Sequence, residues 1–412
     1  MNNDVKILRD LAARYAIAAN DDRNYERKLL HKAVNDLHMI RPVVLIDELP
    51  WNELNGEGEL TLYCTDPYLR IIEQKMRQIL YKWNHFPADM IITPYLGIDK
   101  VIHTTGNGVQ IVENTIHADE TNHIVAHEFV DQMEDESFIE RLHNEVITYD
   151  KEETERRYNL VANIIGDIIP VKIIGTPWVF DTCWDDIAEW HGVTNLLMDL
   201  AMRPEFMHAV AAKLTDIYLD KIRQYEDLNL LRASNPICTA LPLTVTTSLP
   251  KTLTETLKQK DVWGRGAAQV FSSVSPAMRE EFDITYMKKA MEPFGLVYYG
   301  CCEPLHNMID IVEQIPNLRK ITVTPWADVD IAAESIGKRY VIAHKPSPSN
   351  VAVDHMDEET VRKELTHAID ACYRNGCSFD MVLKDISTVN YNPQNLIRWE
   401  QLAMDLVQNY KG

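Results

Sequence analysis

From about Ala88 onward, short apolar runs of strand length alternate with amphipathic helical stretches, and this alternation most constrains the fold. Strand-like runs occur at Met90, Val171–Gly175, Arg232–Cys238, Ala268–Phe271, Leu296–Gly300, Lys320–Thr324, Tyr340–His344 and Phe379–Lys384. Helical patterns lie between them, including Thr194–Met202, Pro204–Gln224, Glu281–Met291, Met308–Gln314, Ile331–Ile336, Glu358–Arg374 and Pro393–Gln408. Strands alternating with helices favour a parallel sheet with helical crossovers. Eight such units predict an α/β fold closed as a (β/α)8 TIM barrel spanning 86–412, with 1–85 as a mostly helical N-terminal extension. Within that extension Pro42–Asp47 reads as a short strand. Asp66-Pro67 opens a helix running to about Trp83, because Asp caps well and Pro suits the first helical position. The extension serves as a lid or as an oligomer contact, for instance in a homodimer. The runs Val109–Ile116 and His123–Phe129 flank a polar segment and read as a hairpin.

Of the 412 residues, 62 are acidic and 41 basic, a net charge of −21 that argues against nucleic acid and anionic membrane as partners. The N-terminus lacks the apolar stretch of a signal peptide, and no run is apolar enough to span a bilayer. Seven scattered cysteines read as reduced thiols. Together these features predict a cytoplasmic protein.

In such barrels the chemistry sits at the C-terminal ends of the strands. That rule singles out Cys301-Cys302-Glu303, His344-Lys345 and Asp385. Thiolates, carboxylates and imidazole are zinc ligands, and a thiol of lowered pKa is a nucleophile. The alternative is cysteines packed as small hydrophobes. Adjacent strand residues point to opposite sides, so one of Cys301 and Cys302 faces the site and the other packs. His344 suits a ligand or an acid–base group. Trp178, Tyr299 and Trp326 are candidates to line a pocket, and Arg265 and Lys345 to meet a substrate carboxylate, although a structural ion pair is the plainer role for Arg265.

His123 and His127 would lie about 13 Å apart on a strand, too far to share one metal. Cys372 and Cys377 lack a second cysteine pair and read as packing residues. Gly264-Arg265-Gly266 lacks the sequel of a phosphate loop.

The blocks Leu296–Glu303, Ile321–Trp326, Tyr340–Pro348, Trp184–Met207 and above all Gly376–Leu396 resemble the uroporphyrinogen decarboxylase superfamily, in particular its corrinoid-linked methyltransferases. The resemblance covers roughly 86–412. True uroporphyrinogen decarboxylases carry an arginine-rich segment after the first strand, where this chain has Pro94–Asp99 without arginine. Porphyrin decarboxylation is therefore disfavoured. In the related zinc methyltransferases a His-x-Cys and a later Cys hold the metal. Here those positions read Tyr299-Gly300-Cys301 and Asp385-Ile386-Ser387, so only Cys301 carries over. A changed zinc set drawn from Cys301, Cys302, Glu303 and His344, with Asp385 in reserve, is what the resemblance leaves.

The resemblance implies a methyltransferase moving a methyl group between a small methylated or methoxylated methyl donor and a corrinoid protein. In that reading His344, Glu303 and Asp385 are the catalytic groups. No corrinoid-binding signature is present, so the corrinoid comes on a partner protein. The alternatives are a lyase or decarboxylase acting on a small carboxylic acid, and a non-catalytic corrinoid-docking subunit.

Overall fold

A computed structural model describes residues 3–117, 125–176, 180–233, 245–249 and 256–410. Its strands, in chain order, are β1 (Val43–Ile46), β2 (Leu96–Asp99), β3 (Val101–Thr104), β4 (Glu113–His117), β5 (Val125–Phe129), β6 (Ile147–Asp150) and β7 (Val171–Ile174). They continue with β8 (Phe180–Asp181), β9 (Trp263–Gly266), β10 (Leu296–Tyr299), β11 (Leu318–Val323), β12 (Val341–His344) and β13 (Ser378–Leu383). Seven form one parallel sheet in the order β1-β13-β12-β11-β10-β9-β8. β2 and β7 form a separate parallel pair, β3 pairs antiparallel with β6, and β4 with β5 makes the expected hairpin.

The expected mixed α/β architecture is therefore present, whereas a closed barrel is not shown among the described residues. On the open side of β1, Asp89 takes the place of a neighbouring strand. Its carboxylate accepts from Val44 N at 2.9 Å, its amide donates to Val44 O at 2.9 Å, and Arg41 clamps it with two hydrogen bonds. The strand expected at Met90 runs instead as buried irregular backbone. Side chains of the helix Arg23–Asn35 bond to it: Asn24 Oδ1 accepts from Ile92 N at 2.7 Å, and Arg27 donates to Met90 O at 3.1 Å. Backbone polar groups satisfied by side chains need no ladder partner.

The run Ala268–Phe271 is also not a strand. The strand lies earlier, at β9, and a 3-10 turn follows at Gln269–Ser273. The glycines of Gly264-Arg265-Gly266 explain this. A Cβ on Gly264 would meet the Phe294 ring at 2.8 Å, and one on Gly266 would collide with Met287. They are strand residues over which the next helix packs directly. Most of the run Arg232–Cys238 lies outside the described residues. Leu231 makes a single parallel bridge to Thr176.

The segment 1–85 contributes β1, paired with β13 from Val43↔Asp380 to Ile46↔Leu383, so it builds part of the main sheet. Its helix Pro67–His85 starts as expected, with the Asp66 side chain accepting from Tyr68 N and Leu69 N.

Side chains alternate across the sheet. Trp263, Leu296, Tyr298 and Ala343 form one small cluster on the inner face. Val297, Tyr299, Ile321, Val323, Ile342, Met381 and Leu383 belong to the large core under the helices. Among the described residues no helix is long and apolar enough to cross a membrane.

Candidate functional site

Two neighbouring strand ends define the site. Just past β1 stands Glu48, and just past β13 stand Lys384 and Asp385. Glu48 (φ 52°) and Asp385 (φ 57°) both have left-handed backbone. Such strain costs on the order of 1–3 kcal/mol per residue and gathers at functional sites. The two are locked together: Asp385 N donates to Glu48 Oε2 at 3.0 Å, and Ile386 N to Glu48 O at 3.1 Å. Lys384 Nζ lies 2.7 Å from Asp385 Oδ2 and 3.3 Å from Glu48 Oε2. Burial, then the hydrogen bond with Asp385, pushes the Glu48 carboxyl up to about 7. Burial would raise Asp385 as well, but the bond from Glu48 and the Lys384 charge hold it below its ordinary value. The pair thus shares one proton, which rests on Glu48, as expected for adjacent carboxyls of unequal surroundings. Both line a cavity of 760 Å³ with Trp51, Asn55, Arg77 and Ser387.

The turn after β10 brings two thiols to this pair. Gly300 (φ 91°) makes the turn, and a Cβ there would lie 2.7 Å from Leu305 Cδ1. Beyond it strand alternation no longer holds, so the expectation that one cysteine packs away fails. Cys301 Sγ and Cys302 Sγ are 3.7 Å apart, Cys302 Sγ is 3.8 Å from Asp385 Oδ2, and Lys384 Nζ is 4.0 Å from Cys301 Sγ. The Cys302 hydrogen bond, with help from Lys384 and Arg265, lowers Cys301 to about 6 against the effect of burial. Cys302 is pushed up, chiefly by that same hydrogen bond, and stays a thiol. Cys301 is accordingly a thiolate at neutral pH.

Glu303 fixes the turn from behind. Its carboxylate accepts from Cys301 N at 2.9 Å and Ala268 N at 3.2 Å and faces Arg279 at 3.8 Å. Arg279 also donates to Tyr299 OH at 2.9 Å and pairs with Asp283 at 3.1 Å.

Tyr299 therefore sits fully buried on the helix side, bonded to Arg279 and Asp283, and it is Tyr298 that shares the inner face with Arg265. His344 falls on the same side of β12 as Ile342, opposite Ala343 and Lys345. Burial lowers it to about 4, and neither ring nitrogen has a hydrogen-bond partner among the described residues. Trp326 is 74% exposed. Trp178 and His123 lie outside the described residues. His127 bonds Glu113 across the hairpin at 2.7 Å. Cys372 and Cys377 are buried in the large core. The structure thus brings Cys301, Cys302 and Asp385 together, with Glu303 supporting Cys301 and with Arg265 and Lys345 within electrostatic reach of Cys301, and leaves Tyr299, His344 and Trp326 apart.

Zinc needs three or four deprotonated ligands converging on one point. Glu303 is engaged by two amides and Arg279, His344 faces the other side of its strand, and the Lys384 ammonium stands among Cys301, Asp385 and Glu48 where a cation would sit. Among the described residues no three His, Cys, Asp or Glu side chains gather as a metal-holding group. The set Cys301, Cys302, Glu303 and His344 does not fit zinc.

Fold and site together define a parallel α/β protein with a thiolate, a lysine and a proton-sharing carboxyl pair at its strand ends. No family model matches the sequence, and no curated protein matches it. Among solved structures it is similar to a methyltransferase from Methanosarcina mazei, with TM-score 0.52 and 10% sequence identity over 92% of this chain and 97% of that chain. At that identity the likeness is one of fold.

Proposed function

We propose that the chain is a methyltransferase that moves a methyl group between a small methylated or methoxylated compound and a corrinoid protein. The observation that carries this reading is the carboxyl pair Glu48 and Asp385, joined through the Asp385 amide at 3.0 Å beside Lys384 and lining a substrate-sized cavity, with burial raising the Glu48 carboxyl. Breaking a methyl–oxygen bond leaves charge on oxygen, and a carboxyl titrating near neutrality is suited to protonate it. Lys384 offsets the charge of Asp385 at 2.7 Å, with Cys301 Sγ farther off at 4.0 Å, and Glu48 is left as the proton donor. The corrinoid, borne by its partner, supplies the methyl-accepting nucleophile. The fold likeness to a methyltransferase and the sequence resemblance to corrinoid-linked members of the uroporphyrinogen decarboxylase superfamily agree with this reading.

The test is anaerobic incubation with cob(I)alamin and a panel of methoxylated and N- or S-methylated compounds, followed by absorbance. Methylcobalamin formed in proportion to enzyme is the expected result. Carbon dioxide released from a carboxylic acid without methyl transfer would replace this reading with the lyase. Binding of a corrinoid protein without turnover would replace it with the docking subunit.

A further inference from the structure

Arg265 and Lys345 are two buried cations without an ion-pair partner among the described residues. Arg265, on β9, is completely buried. One nitrogen, Nη1, donates to Gly266 O at 2.8 Å and to Tyr298 O at 3.4 Å, and the guanidinium stacks on the rings of Tyr298 (4.0 Å) and Phe180 (4.6 Å). Nε and Nη2 have no hydrogen-bond partner among the described residues. Lys345, just past β12, is 4% exposed, and its Nζ likewise has no hydrogen-bond partner among the described residues. The structural ion pair expected of Arg265 is therefore absent among the described residues.

The nearby anions make their hydrogen bonds to other cations, although Asp380 Oδ1 has no hydrogen-bond partner among the described residues. Asp380 holds Lys320 at 2.5 Å, while Asp385 and Cys301 hold Lys384. Cys301, Arg265, Lys384 and Asp380 all act electrostatically on Lys345, so the two unpartnered cations belong to one cluster with the thiolate. Burial pulls Lys345 down to about 8, which leaves it mostly charged at neutral pH. A buried cation without a hydrogen-bonded anion is destabilising, and natural proteins keep one where a ligand completes it.

We propose that a carboxylate of the substrate binds between Arg265 and Lys345, so that the methyl donor is a methylated or methoxylated organic acid. Arg265 offers Nε and Nη2, the fork that matches a carboxylate with two parallel hydrogen bonds, and Lys345 adds a point charge. The naming of the substrate class rests on the methyltransferase reading, whereas the anion site itself does not.

The experiment is thermal unfolding and calorimetric titration of the whole chain with 3-methoxybenzoate, 3-methoxybenzamide, methanesulfonate and inorganic phosphate. The carboxylate is expected to bind and raise the melting temperature, and the neutral amide to do neither. In Arg265→Gln and Lys345→Met, affinity for the carboxylate is expected to fall on the order of 100-fold. Ligand-free Lys345→Met is expected to melt higher than wild type, because an unpaired buried charge has gone. A wild type that binds amide and acid equally, or binds the acid unchanged in both variants, overturns the proposal. Tighter binding of phosphate or methanesulfonate than of the carboxylate overturns the assignment to an organic acid. Carboxylate binding that needs both residues, in a chain that moves no methyl group, upholds the anion site and defeats the methyltransferase reading. Methyl transfer at equal rates from acid and amide does the reverse.

Discussion

The amide of Asp385 donates to Glu48 Oε2 at 3.0 Å, which ties the residues just past the first and last strands of the main sheet into one unit. Both adopt left-handed backbone to do so, and both face the same cavity. The chain folds its two most distant sheet strands side by side, and the charged residues at their ends meet as a consequence. A lysine and two thiols then complete the group.

Thiol reactivity reads this arrangement directly. Cys301, lowered to about 6, is expected to be alkylated by iodoacetamide at neutral pH before Cys302, as peptide mapping would show. Lys384→Met removes one of the charges that hold the thiolate, and the rate at Cys301 is expected to drop about tenfold at neutral pH. Faster labelling of Cys302, or no effect of Lys384→Met, would contradict the assigned ionisation.

The inner face holds the ion pair Lys320–Asp380 at 2.5 Å, with both side chains 2% exposed. Losing one member of such a pair strands a buried charge and costs about 3–5 kcal/mol. Lys320→Met is expected to lower the urea midpoint strongly, and Lys320→Met with Asp380→Leu to recover much of that loss. A double variant as unstable as the single one would show that packing, not charge, is what matters there.

Gly300 is required by its turn. An alanine there would meet Leu305 and hold a left-handed backbone, a cost of about 1–3 kcal/mol. Gly300→Ala is expected to lower the urea midpoint and to slow Cys301 alkylation, because the turn carries the thiols. Unchanged values in both assays would mean that the turn adapts.

Much of this architecture is legible in the amino-acid order. The runs at Leu296, Lys320, Tyr340 and Phe379 become adjacent parallel strands, and the strand-end rule finds Cys301, Cys302 and Asp385. The misses have physical causes. Gly264 and Gly266 look like a loop because nothing local reveals the helix pressing on them. Met90 looks like a strand because apolar burial is the same whether a ladder or the side chains of Asn24 and Arg27 satisfy the backbone. Tyr299 and His344 sit one residue out of phase with the inner face, and a shift of one reverses the side. Glu48 lies in the segment that reads as a helical extension. Its signal in the sequence is an acidic residue directly after the strand-like run Pro42–Asp47, the position at which strand-end chemistry sits once that run joins the main sheet.

Glu48 as the proton donor is tested most directly by the pH dependence of methyl transfer to cob(I)alamin in wild type and in Glu48→Gln. A carboxyl raised to about 7 carries its proton below that pH and loses it above. Wild-type turnover is therefore expected to fall as pH rises through about 7. In Glu48→Gln the rate is expected to be lower by roughly 10²–10⁴-fold, and that descending limb is expected to vanish. A variant that keeps both the wild-type rate and the descending limb would contradict the assignment of Glu48 as the acid.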